Sequence, residues 1–290
     1  MTMKPFYRDL QSQAAIDEQY NPSLALTDKT APALHYARAS KLARSSLDCH
    51  LDLAFGASLA ETLDVFPAAE PNAPVFVFLH GGYWRANTSK EFSCVALGLK
   101  PLGITTVVVN YALCPYVTID EIVRQTRAAL AWTLRHIAQY GGDPTRVAVG
   151  GHSAGGQLTA MALQTDWQRD YGLPADPFKA GLLISGIYDI TPLRYSYLQP
   201  LIQLDDGLVQ RNSPLFSVRP CTTPIWTTWG ALESREFERQ ANTFHEAWRA
   251  TGNQGELCAV PQTNHFSVIH GFEKPESELS QWLARQLGQA

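Results

Sequence analysis

From Pro74 onward, short apolar runs alternate with longer stretches of mixed polarity. The run at 75–79 is unbroken, the pattern of a strand buried on both faces of a parallel sheet, and further strands are read at 105–110, 147–150, 180–184, 225–229 and 257–260. Helical stretches are predicted between them at 89–100, 119–140, 155–165 and 234–251, with a final helix at 275–288. Alternating strand and helix imply a mostly parallel, doubly wound α/β sheet. Before Pro74, residues 8–20 and 33–46 read as two helices separated by the Asn21-Pro22-Ser23 breaker, within an N-terminal helical segment at 1–47. Residues 49–55 and 61–65 alternate as two antiparallel edge strands. The stretch 191–219 breaks the pattern, being rich in Tyr, Leu, Gln, Pro and Ser, and is expected to be a small cap inserted in a single domain spanning 1–290.

The 150–156 segment, Gly-Gly-His-Ser-Ala-Gly-Gly, falls where a strand ends and a helix begins. It contains a G-x-S-x-G pentapeptide centred on Ser153. A serine hydroxyl becomes a useful nucleophile when it projects from a sharp turn, beside a base and free backbone N–H groups. His80-Gly81-Gly82-Tyr83-Trp84 follows the apolar run at 75–79, at the position where such folds supply oxyanion donors. The backbone N–H groups of Gly82, Tyr83 and Ala154 are the candidates. His265, in Asn264-His265-Phe266, follows the last strand and is the expected general base; His270 is its competitor. For the acid, Glu233 on the loop after 225–229 comes first, with Glu236 and Asp189 as alternatives. Trp84, Tyr188 and Phe266 flank these motifs and are expected to line an aromatic substrate pocket.

Composition narrows the functional class. The chain has 290 residues, 45% hydrophobic and 17% charged, with a net charge of −4 and no Lys/Arg cluster. Nucleic acid and anionic membranes are therefore poor partners. Cys49, Cys94, Cys114, Cys221 and Cys258 are scattered, odd in number and without C-x-x-C spacing, which argues against a disulfide framework or zinc site. No signal peptide or transmembrane run is read near the N-terminus or elsewhere, so a cytoplasmic protein is expected. Neither metal nor cofactor is implied, and a homo-oligomer remains open.

Taken in order, these motifs resemble the α/β-hydrolase superfamily, and within it kynurenine formamidases (arylformamidases) and bacterial carboxylesterases. The resemblance is carried by residues 17–22 (Asp-Glu-Gln-Tyr-Asn-Pro), His80 to Trp84, 110–115 (Asn-Tyr-Ala-Leu-Cys-Pro), Tyr140 to Pro144, Gly151 to Gly156, 233–240 and Asn264 to Phe266. Relatives often carry histidine after Gly156, where this chain has Gln157, and many have Asp where it has Glu233. The resemblance implies Ser153 as nucleophile, His265 as base and Glu233 as acid. The activity it implies is hydrolysis of small acyl esters or aryl-formamides through an acyl-enzyme. A general short-chain carboxylesterase and a non-catalytic ligand-binding protein on the same fold are the other readings.

Overall fold

A computed structural model describes residues 6–289. Eight strands form one sheet in the order β1-β2-β4-β3-β5-β6-β7-β8: β1 (His50–Ala54), β2 (Thr62–Phe66), β3 (Ala73–Leu79), β4 (Thr105–Val109), β5 (Gly142–His152), β6 (Ala180–Ile184), β7 (Ile225–Gly230) and β8 (Gly255–Val260). β2 runs antiparallel to β1 and β4, and every other pairing is parallel. Ten α-helices accompany them among the described residues: α1 (Gln13–Tyr20), α2 (Ala31–Ser46), α3 (Ala96–Leu99), α4 (Ile119–His136), α5 (Ala154–Leu163), α6 (Trp167–Tyr171), α7 (Gln199–Ile202), α8 (Asp206–Asn212), α9 (Arg235–Ala250) and α10 (Glu278–Gln286).

Strand alternation divides the core into two layers. Successive side chains point to opposite faces of a sheet, so Val75, Val77 and Leu79 of β3 join one apolar cluster while Phe76 and Phe78 join the other. The first cluster takes in Leu130 of α4, Leu158 of α5 and Trp248 of α9; the second takes in Leu99 of α3 and Trp282 of α10. An apolar sheet covered on both faces explains why a central strand such as β3 reads as an unbroken run. Helix α4 carries its apolar residues on one side, with Thr118 capping its start by accepting from the Glu121 N–H.

Several boundaries differ from the sequence pattern for identifiable reasons. The first helix begins at Gln13 rather than 8, because Ser12 caps it by accepting from Ala15 N–H. The 89–100 stretch is not one helix but short turns at Ser89–Glu91 and Ser93–Val95 followed by α3. The Ser40 hydroxyl of α2 inserts there: it donates to the Glu91 carbonyl and accepts from Cys94 N–H, taking both from the helical ladder. Helix α6 was not foreseen. The 191–219 segment folds as a 3-10 turn at Thr191–Tyr195, α7, α8 and another 3-10 turn at Pro214–Ser217. Of the expected N-terminal segment, residues 1–5 lie outside the described residues. The five cysteines are free thiols, and no helix among the described residues is long and apolar enough to cross a membrane.

Candidate active site

The site forms at the carboxyl ends of β3, β5, β7 and β8, where loops leave a parallel sheet. Ser153 stands between β5 and α5 with φ 58° and ψ −117°, a conformation few non-glycine residues adopt. Its N–H donates to the Ile184 carbonyl at 2.8 Å, tying the turn to the end of β6. Only glycine fits at 155: a Cβ there would stand 1.8 Å from the Leu79 carbonyl oxygen, so α5 crosses β3 in direct backbone contact.

Glu233 and His265 meet behind this turn. The Nδ1 of His265 lies 2.6 Å from Glu233 Oε2. The other carboxylate oxygen, Oε1, accepts from Ser185 Oγ at 2.5 Å and from Gly230 N–H at 2.7 Å. Three partners therefore fix a carboxylate with no exposed surface. With Nδ1 engaged, Nε2 of His265 is the ring nitrogen left for chemistry. His265 and Ser153 line one cavity of about 130 Å³.

The competing assignments have other occupations. Glu236 accepts from Tyr20 OH at 2.7 Å and pairs with Arg239 at 2.9 Å, both away from the cavity. Asp189 accepts from Tyr7 OH at 2.7 Å and Thr191 N–H at 2.9 Å. His270 stacks on His35 with ring centres 3.8 Å apart. Burial, reinforced by His35, lowers its pKa. His35, His270 and Glu273 bring three potential metal ligands together, but the two imidazoles stack face to face. Their in-plane lone pairs do not converge on one ion.

The loop after β3 holds Gly82 at φ 125°, Tyr83 at 51° and Trp84 at 56°. Arg85 and Ala86 N–H groups both donate to the Gly82 carbonyl, closing the turn. Among the described residues, none accepts a hydrogen bond from the N–H of Gly82, Tyr83 or Ala154. Gly81, Gly82 and Tyr83 all line the Ser153 cavity. A Cβ at Gly81 would come within 3.1 Å of the Ser153 Cβ, so glycine lets the loop approach the serine closely.

Two of the three residues expected at the substrate pocket are elsewhere. Trp84 is wholly buried behind the loop, donating its indole N–H to Gln157 Oε1 at 3.1 Å. Gln157 in turn donates to the Asn212 carbonyl. Tyr188 is also fully buried, stacked on Phe244 at 4.3 Å. Both are core supports, because their loops turn these large side chains inward. Phe266 does line the cavity, as do Tyr36, Arg85 and Tyr197, which the sequence reading missed. Arg85 directly follows the Tyr83-Trp84 pair, so its position was the available signal; Tyr36 and Tyr197 had none. Ser185 was missed as a partner of Glu233.

His152, beside Ser153, supports His265. One ring nitrogen, Nε2, lies 2.7 Å from the His265 carbonyl, which only accepts, so Nε2 carries the proton. Burial, followed by the neighbouring His265, holds the His152 pKa well below the usual histidine value. The ring therefore stays neutral.

The chain is a hydrolase with the α/β-hydrolase fold: residues 76–216 match that fold family, and its relatives carry hydrolase names. The chain is 28% identical to a kynurenine formamidase of Danio rerio over 96% of its own length and 98% of the relative's. It is 27% identical to a probable carboxylic ester hydrolase, LipM, of Mycobacterium tuberculosis, over 67% of this chain and 49% of that one. Among solved structures, a candidate thioesterase from Silicibacter sp. TM1040 superposes with a TM-score of 0.80 at 25% identity, covering 90% of this chain and 96% of the other. An esterase of Pyrobaculum calidifontis, 18% identical, shares the fold at a TM-score of 0.69 over 95% and 97% of the two chains.

Proposed function

We propose that this protein cleaves small acyl esters or aryl-formamides through an acyl-enzyme on Ser153. The observation that carries the reading is the Glu233–His265 pair, 2.6 Å apart, whose imidazole lines the cavity that Ser153 and the unpartnered loop amides share. In this mechanism His265 Nε2 takes the Ser153 proton as Oγ attacks the carbonyl carbon. Glu233 holds the imidazole in the needed tautomer and stabilises the imidazolium. The Gly82, Tyr83 and Ala154 amides receive the oxyanion, each worth roughly 3 kcal/mol. His265 then protonates the leaving alcohol or amine, and water repeats the sequence to release the acid.

The small cavity favours a short acyl group. Its aromatic walls, Tyr36, Phe92, Tyr197 and Phe266, favour a flat leaving group. Tyr197 belongs to the 191–219 segment and Tyr36 to α2, which supports reading both segments as a roof over the site. Similarity to kynurenine formamidases along nearly the whole chain makes an N-formyl aromatic amine the first substrate to try. The carboxylesterase relatives keep short-chain ester hydrolysis as the second reading. A side-by-side kcat/KM comparison of N-formylkynurenine with formyl, acetyl and octanoyl p-nitrophenyl esters tests both. Short acyl groups are expected to exceed octanoyl by at least ~10-fold, a barrier difference of about 1.4 kcal/mol. A profile peaking at eight carbons would overturn the small-acyl reading. Failure of Ser153 to react with an organophosphonate would overturn the acyl-enzyme itself.

A further inference from the structure

The cavity that holds Ser153 and His265 also holds an unpaired cation. Arg85 lines it, and its backbone N–H closes the loop that presents the Gly82 and Tyr83 amides. The turn that sets the oxyanion donors therefore also sets where the Arg85 side chain departs. No acidic residue lines the cavity.

The lack of a partner sets Arg85 apart within this protein. The other half-buried arginines among the described residues are Arg44, Arg127, Arg146, Arg194, Arg219 and Arg239, and each donates to an oxygen acceptor. Arg85 donates to no carboxylate or carbonyl among the described residues; its guanidinium approaches only the Tyr197 side chain, and its Nε–H is both shut from solvent and unsatisfied. Its guanidinium carbon instead lies 5.9 Å from the centre of the Tyr197 ring. A partly desolvated guanidinium with open donors is an anion receptor, and its planar fork matches a carboxylate in a bidentate contact.

We propose that Arg85 binds a carboxylate on the leaving-group half of the substrate, making the enzyme selective for anionic aryl esters and amides. The assignment rests on the acyl-transfer reading above. In that reading a short acyl group ends close to Ser153, so the leaving group is the part long enough to reach a second wall. A ring placed among Tyr36, Tyr197 and Phe266 presents a substituent to the guanidinium beside Tyr197.

The test compares matched neutral and charged substrates: 3- and 4-acetoxybenzoate against the corresponding acetoxybenzamides, near neutral pH. The readout is the ratio of kcat/KM for anion over amide, so a general loss from a disturbed loop cancels. Wild type is expected to favour an anion by at least ~10-fold, mainly through KM, as one desolvated charged contact affords. Arg85→Met should bring the ratio to about one, Arg85→Lys should retain part of it, and Arg85→Glu should invert it. A wild-type ratio at or below one for both positions overturns the proposal. So does an unchanged ratio in a folded Arg85→Met protein, with melting temperature as the check on folding. If wild type hydrolyses none of the four acetates faster than Ser153→Ala does, the acyl-transfer reading has failed and the carboxylate assignment falls with it.

Discussion

Replacing Glu233 by glutamine is the most discriminating perturbation of the proposed mechanism, because the surrounding bonds dictate how the amide must sit. Oε1 receives two donors, Ser185 Oγ and the Gly230 N–H, and the backbone N–H cannot become an acceptor. The glutamine oxygen must therefore occupy the Oε1 position, and its NH2 must face His265 Nδ1. A donor at that point forces Nδ1 to accept, which moves the imidazole proton to Nε2, where the base must be empty. Charge is lost as well. An imidazolium and carboxylate with centres roughly 4 Å apart attract by about 4 kcal/mol at an effective dielectric near 20. Adding ~1 kcal/mol for the wrong tautomer gives a barrier increase of about 5 kcal/mol, or ~10³–10⁴ in kcat. Steady-state hydrolysis of a short aryl ester measures the loss, and a melting curve separates it from unfolding. Glu233→Asp keeps the charge but shortens the reach by one methylene, and is expected to fall between. A Glu233→Gln enzyme within ~10-fold of wild type would falsify the assignment. An Asp189→Asn loss as large as that of Glu233→Gln would move the acid to another loop.

Other substitutions probe separate parts of the argument. Ser153→Ala and His265→Ala are each expected to lower kcat by roughly 10³-fold or more without adding in the double mutant, whereas His270→Ala retains most activity; a reversed ranking of the two histidines refutes the base. Gly155→Ala places a methyl 1.8 Å from the Leu79 oxygen; overpacking of at least ~3 kcal/mol should lower the melting temperature by roughly 6–12 °C, and a change under ~2 °C would contradict the close crossing. His80, stacked between Tyr111 and Phe92, has its pKa lowered by burial from 6.5 to about 4. The unfolded chain then binds the proton more readily, so the stabilisation is whole above pH ~6.5 and is lost as pH falls toward ~4, up to about 3 kcal/mol. Chemical denaturation across that window should show a shallower decline for His80→Phe, and equal slopes would rule the contribution out.

The sheet was legible because its central strands are buried on both faces, which leaves a continuous apolar run such as Val75 to Leu79. The turn at Ser153 was legible because close backbone crossings demand glycine at fixed offsets from it. Long-range side-chain insertion was not. Nothing near residues 89–100 announces that Ser40, some fifty positions earlier, takes two of the helical hydrogen bonds. The same limit hid Ser185 behind Glu233 and brought Tyr36 and Tyr197 to the cavity unannounced. It also misplaced Trp84 and Tyr188, since aromatic identity beside a motif does not say whether the ring turns toward ligand or core.

Those two misplaced aromatics bear on how the site keeps its shape. Tyr83, Trp84, Ser153 and Ser185 all have positive φ, at 51°, 56°, 58° and 51°, in the loops that follow β3, β5 and β6. Backbone held this way costs about 1–3 kcal/mol per residue, so four such positions approach the 5–15 kcal/mol of a whole domain's stability. Something rigid must oppose relaxation. Trp84 is pinned through Gln157, and its carbonyl accepts from Cys114 N–H at 2.7 Å. The Tyr83 hydroxyl donates to the Tyr20 carbonyl. Ser153 is tied to Ile184, and Ser185 donates to Glu233. Tyr188 packs on Phe244 immediately after the Ser185 turn. The bulk expected to grip substrate instead anchors the loops from behind, leaving the unpartnered amides, the serine and Arg85 to face the cavity. A pocket built this way draws its substrate selectivity from few side chains, and Arg85 is the one among them that carries a fixed charge.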